Sequence, residues 1–363
     1  MATHNFSYVD TLNFYYPPLF GASPDYVVTQ FSNGTPTGSF DVRKTTDLAT
    51  VISSYALSNE FPDSMAVDNY GNAYVITKIG STWKLKKMSV SKSGTISVSS
   101  GSTITVPGGT SSVGYSYLSS GGGGIVTEFF GNQYVTGYDT SDNSINWTMT
   151  TQSGHSSFAG NILSVQDNGW VILIDCSAHG AIETWVGRTL PTLPTLRGSI
   201  AYPSDAVYTP EIVPISTYTA FMAYRVDYGN YIKVGLLDTP WYAAPTWNWG
   251  PVEVPVNWTA GSRITTSARG NYVALAPDEI QGADASIYLV NANHGGIWES
   301  TPLPQIAQGA YYQGQNYMMV WSDINYLTFV NASFNKSHSL KHDVIRSSGG
   351  TFPPFPFAWS ADF

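Results

Sequence analysis

Glycine-centred turn signals return along this chain at intervals that few folds can use. They sit at Gly71, Gly131, Gly169, Gly229, Gly270 and Gly314, separated by 60, 38, 60, 41 and 44 residues. Each lies between short runs in which β-branched and aromatic residues alternate with polar ones, the signature of antiparallel hairpins. The design is clearest in IVTEFFGNQYVTGYDTSDNSINW, from Ile125 to Trp147. This stretch reads as a strand, a Gly131-Asn132 turn, a second strand to Tyr138, and a polar turn opened by Asp139 and closed by Trp147. GNYVALAPDE followed by SIYLVNANHGGIW, ending at Trp298, repeats it.

The same grammar extends over most of the chain. DYVVTQFSNGTPTGSFDV turns at Asn33-Gly34, and SMAVDNYGNAYVITKI with WKLKKMSVSKSGTISV makes a four-stranded unit. ILSVQDNGWVILIDCSAHGAIETWVG, FMAYRVDYGNYIKVGLLD and YYQGQNYMMVWSDINYLTFVNASF follow. Counting the hairpin at Asn33 there are seven candidate units, and the spacings average close to the ~40–50 residues of a propeller blade. Tandem four-stranded meanders have few ways to bury both faces of every sheet, and radial stacking about an axis is the commonest. The expected fold is therefore all-β, a β-propeller of seven blades with six as the next choice. The alternative is a pair of β-sandwich domains divided near LPTLPTLRGSIAYPSD, which would show strands pairing across long loops. Residues 1–25 end in YYPPLFGASPD, which cannot be helical, and are expected to form an N-terminal extended arm or a closing strand. Residues 26–340 would be the propeller, and 341–363 an aromatic, proline-rich C-terminal arm.

The outer turns carry a resemblance. YDTSDNSINW (Tyr138 to Trp147) and YLVNANHGGIW (Tyr288 to Trp298) resemble the outer-strand motif of quinoprotein-like repeat propellers. In that motif an Asp or Asn opens a turn and a Trp packs between blades. IDCSAHGAIETW (Ile174 to Trp185) is a looser third copy, whereas Asp238 is followed by Thr-Pro and Asn331 by no matching Trp. The resemblance implies architecture and brings no catalytic residue with it.

Composition narrows the function. A chain of 363 residues can bury a substantial core, yet only 11% of it is charged where about 25% is usual, so its surface is polar through hydroxyls and amides. A formal charge of -9 excludes nucleic acid as a partner, because phosphate binding needs clustered Lys and Arg. The local exception is Lys78, Lys84, Lys86, Lys87 and Lys92, read as a solvated edge strand protected by its charge, with an anionic partner surface as the other reading. Cys176, the single cysteine, rules out a disulfide framework and reads as a buried, inert residue. The N-terminus lacks a secretion signal, and no segment has the length of a membrane span, so no membrane insertion is expected. A cytoplasmic origin combined with an extracellular type of composition is reconciled by a virion protein; a cytoplasmic or non-classically released protein is the alternative.

Catalytic chemistry finds little support. Asp63, Asp68, Glu128, Asp139, Asp175, Asp227, Asp278, Glu279 and Asp284 are the available carboxylates, mostly at turn positions that favour Asp for local hydrogen bonding. Ser141 to Trp147 shares Ser, Asn and Trp with the sialidase-type Asp box but lacks its internal Gly. His338 and His342 stand four apart without a helical apolar period or a third ligand, which favours a solvated loop. PDEIQGADAS holds three carboxylates without a recognised calcium-loop spacing, and no metal and no cofactor are expected. GGGG at Gly121 to Gly124 reads as a linker, and of the six N-x-S/T sequons, which suggest glycosylation, several are expected by chance in a chain this rich in Ser and Thr.

The aromatics remain. Trp241, Trp247, Trp249 and Trp258 crowd WYAAPTWNWGPVEVPVNW, a proline-rich segment read as partly loop. They are the candidate ligand- or partner-binding residues, since exposed Trp stacks on sugars or anchors interfaces, with inter-blade packing as the bland alternative. Tyr15, Tyr16, Phe352, Phe355, Phe357 and Trp359 mark the two candidate assembly arms. The expected function is a non-enzymatic virion structural or host-attachment protein, a capsid, vertex or tail decoration. Its expected partners are other virion proteins or identical subunits, and host-surface glycans are a further candidate. A soluble lectin is the alternative, and a glycoside hydrolase a weaker one.

Overall fold

The structure is a computed structural model that describes residues 2–13, 18–21, 25–32, 37–67, 73–104, 116–121, 124–129, 134–139, 145–150, 162–165, 170–175, 181–188, 195–201, 203–206, 211–216, 218–226, 231–240, 243–256, 264–269, 272–277, 286–292, 297–302, 319–323, 326–331 and 336–346. Strands account for nearly all of them. The first, β1 (Ala2–Asn13), leaves its sequence neighbours for the last sheet. β2 (Pro18–Gly21), β3 (Tyr26–Ser32), β4 (Thr37–Lys44) and β5 (Asp47–Ser58) form the first sheet. The second is β6 (Phe61–Val67), β7 (Ala73–Ile79) and β8 (Thr82–Val90), with β9 (Ile96–Val98) and β10 (Ser102–Ile104) both paired to β8. The third is β11 (Ser116–Gly121), β12 (Gly124–Phe129), β13 (Tyr134–Asp139) and β14 (Ile145–Thr150). The fourth is β15 (Ile162–Val165), β16 (Trp170–Asp175), β17 (Ala181–Arg188) and β18 (Thr195–Ala201). The fifth is β19 (Glu211–Ser216), β20 (Thr219–Arg225), β21 (Tyr231–Asp238) and β22 (Thr246–Pro255). The sixth is β23 (Ile264–Arg269), β24 (Tyr272–Pro277), β25 (Ser286–Asn291) and β26 (Ile297–Pro302). β27 (Met319–Asp323), β28 (Tyr326–Asn331) and β29 (Lys336–Arg346) complete the last sheet with β1.

These sheets lie side by side in a ring. The leading strand of each sheet from the second onward touches the leading strand of the next, and β27 touches β2 of the first. The first and second sheets meet through β5 and β9. The chain is thus an all-β propeller built of antiparallel meanders. Two sandwiches are not formed, because every sheet except the last is made of consecutive strands, and β18 runs through the proline-rich stretch that would have divided them.

The strands twist by a repeated device. The middle pair of each sheet among the described residues, from β3–β4 to β28–β29, is in unbroken register. Irregularities fall on the flanking strands. An extra residue sits in the fourth strand at Ile52, Asn146, Arg197, Asn248, Trp298 and, in β1, Val9. First strands carry one at Leu19, Asp63, Ser164, Ile215 and Ser322. A bulge bends its strand, raises the local twist and blunts an exposed edge, which is what a radial sheet needs at its two sides.

Both faces of a sheet are buried, and alternation along a strand assigns each residue to one neighbour. In β20, Phe221 and Ala223 join a cluster with Val273, Leu275 and Val290 of the sixth sheet. The intervening Ala220, Met222 and Tyr224 pack instead with Leu237 and Ile200, the latter from the fourth. Val28, Phe40, Val42 and Leu57 meet Ala73, Val75 and Met88 between the first two sheets. The other face of the first sheet carries a buried polar network. Arg43 Nη2 pairs with Asp41 Oδ2 at 3.0 Å, Nη1 donates to the Leu48 carbonyl at 2.9 Å and Nε to Thr29 Oγ1 at 2.9 Å, while Ser39 and Ser54 hydroxyls each donate to Asp41 Oδ1 at 2.7 Å.

Several expectations change in this frame. The lysine group is not an edge and is solvated only in part: β8 is paired on both sides, and Lys86 is buried against Glu60, with Nζ 2.6 Å from Oε2, while Lys87 and Lys92 are exposed. The four glycines are not a linker, because Gly121 and Gly124 face one another and close the β11–β12 hairpin. His338 and His342 lie in β29 and not in a loop, opposite Thr11 and Phe6. The copy from Ile174 to Trp185 joins the second and third strands of its sheet, unlike those ending at Trp147 and Trp298, which join the third and fourth. In the last sheet the first hairpin lies between Asp323 and Tyr326 rather than at Gly314, which is outside the described residues. Strand pairing also extends past the boundaries drawn from sequence: β2 belongs to the first sheet, and β29 continues through Arg346.

Candidate functional site

Segment 239–256 combines the expected tryptophans with the most unusual backbone in the fold. The stretch read as partly loop is the outer strand β22 from Thr246 onward, with a cis Gly250-Pro251 bond. Trp247 and Trp249, two residues apart, would share a face in a regular strand. They do not, because Asn248 is an extra residue: Trp247 lies opposite Leu237 and Trp249 opposite Leu236. Trp247 packs with Leu237, Met222 and Tyr224, whereas Trp249 packs with the cluster shared with the sixth sheet. Its ring lies 6.2 Å from Phe221 at 59°, and its Nε1 donates to the Ala292 carbonyl at 2.8 Å. Trp247 lies over Gly235, where a Cβ would come within 2.5 Å of the ring. Both tryptophans are half-buried, and Trp249 joins the fifth sheet to the sixth while Trp247 covers the opposite face of its own sheet. Trp241, Trp258, Tyr15, Tyr16, Phe352, Phe355, Phe357 and Trp359 lie outside the described residues, as do Cys176 and the carboxylates Asp278, Glu279 and Asp284.

What the fifth sheet presents to solvent is a rim that sequence reasoning did not single out. The β19–β20 and β21–β22 connections meet there, since Thr219 pairs with Asp238 and the Thr239 N–H donates to the Tyr218 carbonyl at 2.7 Å. Tyr218 is 45% exposed. Beside this crossing the Ser216 and Thr219 hydroxyls are 2.7 Å apart, and Asn248 Nδ2 donates to both oxygens of Asp238 at 3.1 and 3.2 Å. The only signal in the sequence was the Thr-Pro that follows Asp238, where the outer turns opened by Asp139 and Asn291 continue to Trp147 and Trp298.

Farther along the sheet, Asp205 takes a hydrogen bond from Lys233 Nζ at 2.5 Å, and Ala206 bridges Val226. This hydrogen bond leads the causes that hold the Lys233 ammonium above its ordinary pKa of 10.5, with the charges of Asp205 and Glu253 assisting against desolvation. Burial, then Asp205, pushes the Tyr224 phenol up as well. A lysine raised on folding stabilises fully below its ordinary value and loses that contribution as pH climbs through the raised one. The pair is partly exposed, so its worth is below about 1 kcal/mol. Asp205→Asn is expected to remove this part of the alkaline loss of stability while changing neutral stability little, as read from urea midpoints at pH 7 and above pH 10.

Glu128 and Asp139 stand on neighbouring strands of the third sheet. Asp139 lies opposite Gly124 and Glu128 opposite Val135, four residues along the β12–β13 hairpin, roughly 13–14 Å. No group of three or more His, Cys, Asp or Glu that could hold a metal ion occurs among the described residues.

The architecture defines a β-propeller, and comparison with solved structures gives the same fold. The chain is similar to Raptor from Chaetomium thermophilum, with a TM-score of 0.60 at 9% identity over 95% of this chain. It spans only 30% of that protein's length. It is also similar to the β-propeller domain of Cps50 (Swd1) from Myceliophteria thermophila, with a TM-score of 0.55 at 12% identity, covering 93% of this chain and 99% of that one. A candidate 6-phosphogluconolactonase from Bacteroides uniformis gives 0.52 at 13% identity, covering 85% and 89%. No protein-family model matches the chain, and no curated protein matches it. At these identities the likeness concerns the fold.

Proposed function

We propose that this chain is a non-enzymatic β-propeller scaffold of a virion, a structural or host-attachment component mounted on a capsid, vertex or tail. The observation that supports a scaffold is how the described polar and aromatic groups of the interior are used. Arg43 and Asp41 join β3, β4 and β5; Lys86 and Glu60 tie the second sheet beside Tyr55; Trp249 ties the fifth sheet to the sixth. Chemistry left for a partner lies on turns and rims, the places where a rigid scaffold presents binding groups. The virion setting is supported by the low charge and hydroxyl-rich composition. Mass spectrometry or cryo-EM of purified particles is expected to find the chain in stoichiometric amount, and its absence from every particle preparation would refute the assignment.

A soluble lectin is the second reading, favoured by the Tyr218 rim. An exposed phenol ring can stack on a sugar face, and the Asp238–Asn248 pair offers planar polar groups to hydroxyls. Tyr218→Ala or Asn248→Ala should then abolish glycan-array binding at unchanged stability. An array silent for the parent chain removes this reading.

A further inference from the structure

β1 is the described strand that pairs farthest out of chain order, and its partner is the last of the described strands. The ladder to β29 has eleven cross-strand pairs, from Ala2 opposite Arg346 to Asn13 opposite Lys336, interrupted by one bulge. Neither strand contains Pro or Gly. On its other side β29 pairs with β28 in unbroken register. Without β1, β29 would offer a long edge free of Pro and Gly, guarded only by the charges of Lys336, Lys341, Asp343 and Arg346. The outer strand β22, by contrast, carries Gly250, Pro251 and Pro255, and β18 carries Gly198.

Timing separates this edge from the others. The first six sheets are completed by strands that follow one another in sequence. From Asn13 to Lys336, however, the chain must grow by 323 residues. At ~5–20 residues per second that takes roughly 16–65 s, during which β1 has no partner in its own chain. Two copies completing synthesis or refolding together hold identical strands and identical edges. Pairing within a chain and between chains satisfies the same backbone groups in the same register, the condition under which domain exchange carries little energetic cost.

We propose that the β29 edge also accepts β1 from a second copy of this chain, giving a strand-exchanged dimer in which each ring is closed by the other's N-terminus. Exchange makes the partner strand part of the fold, so each protomer is incomplete without it. The proposal goes beyond the scaffold assignment and stands whether or not the chain belongs to a virion.

The test uses full-length chains in a Cys176→Ala background. Ser7 and Lys341 are cross-strand partners, and antiparallel partners lie about 4.5–5.5 Å apart at Cα, within disulfide range. Ser7→Cys and Lys341→Cys are placed on separate, differently tagged chains, co-expressed, and oxidised after purification. The expected result is a disulfide-linked heterodimer at twice the chain mass, shifting to monomer on reduction and absent when Asn13→Cys replaces Ser7→Cys as an off-register control. A double variant carrying both cysteines in one chain reports correct folding and register. If these positions are not tolerated, Thr11→Cys with His338→Cys supplies a second registered pair. Cross-linking confined to single chains, with heterodimer no greater than the off-register control, overturns the proposal.

Discussion

Lys86→Met is expected to destabilise the protein by about 3–5 kcal/mol, because it leaves a buried carboxylate without its counter-charge. The Lys86 side chain is only 3% exposed and that of Glu60 10%, and their charged atoms lie 2.6 Å apart. Two further contacts fix the pair. Thr77 donates to the same Glu60 oxygen at 3.2 Å, and the ammonium sits 5.7 Å from the centre of the Tyr55 ring. Removing the lysine abolishes the ion pair and the cation–π contact together, and Thr77 alone cannot solvate the carboxylate. Replacing both partners, Lys86→Met with Glu60→Leu, is expected to restore most of the loss, since a well-packed apolar pair incurs no desolvation of charge. Urea unfolding followed by tryptophan fluorescence measures both variants. A single variant within about 0.5 kcal/mol of the parent, the range of ordinary surface substitutions, would show that the pair is solvated.

Trp249→Ala should cost about 3 kcal/mol, the lower end of the range for truncating a large aromatic in a core, because the ring is half-buried. The loss has two separable parts. Trp249→Phe retains contact with Phe221 but gives up the hydrogen bond to the Ala292 carbonyl, and should cost about 1 kcal/mol. Both changes weaken the joint between the fifth and sixth sheets. The same substitutions made to test ligand binding would therefore confound lost binding with lost stability, and substitutions at Tyr218 and Asn248 are the cleaner probes. If Trp249→Ala left the unfolding midpoint unchanged, the tryptophan would be a surface group and not a joint.

These effects show where local sequence stops being informative. Hairpins around Gly71, Gly169 and Gly270 and around Gly131 and Gly229 were all legible, because a turn signal between alternating segments specifies which strands pair. Their place in a sheet was not. The first three connect first and second strands, whereas Gly131 and Gly229 connect second and third, so counting turns mixed two positions and made the repeat look irregular. Leading strands begin at Pro18, Phe61, Ser116, Ile162, Glu211, Ile264 and Met319, at steps from 43 residues (Pro18 to Phe61) to 55 (Phe61 to Ser116). Lys86 was read as solvated because a lysine among lysines carries no sign of the Glu60 that reaches it. Trp247 and Trp249 were grouped with Trp241 and Trp258 in a segment read as partly loop, because local sequence carries no sign of the bulge at Asn248 that turns them to different faces.

By itself, the sequence determined the pairing of neighbouring strands and hence the all-β, tandem-meander class. Turn chemistry and period-two alternation act over a few residues, and each hairpin needs nothing from the rest of the chain. Only the tertiary structure decided radial position, the face each side chain turns to, and the destination of β1 beside β29. Those outcomes depend on burying two faces of every sheet against neighbours distant in sequence and on satisfying the last open backbone edge, terms that exist only once the ring is assembled.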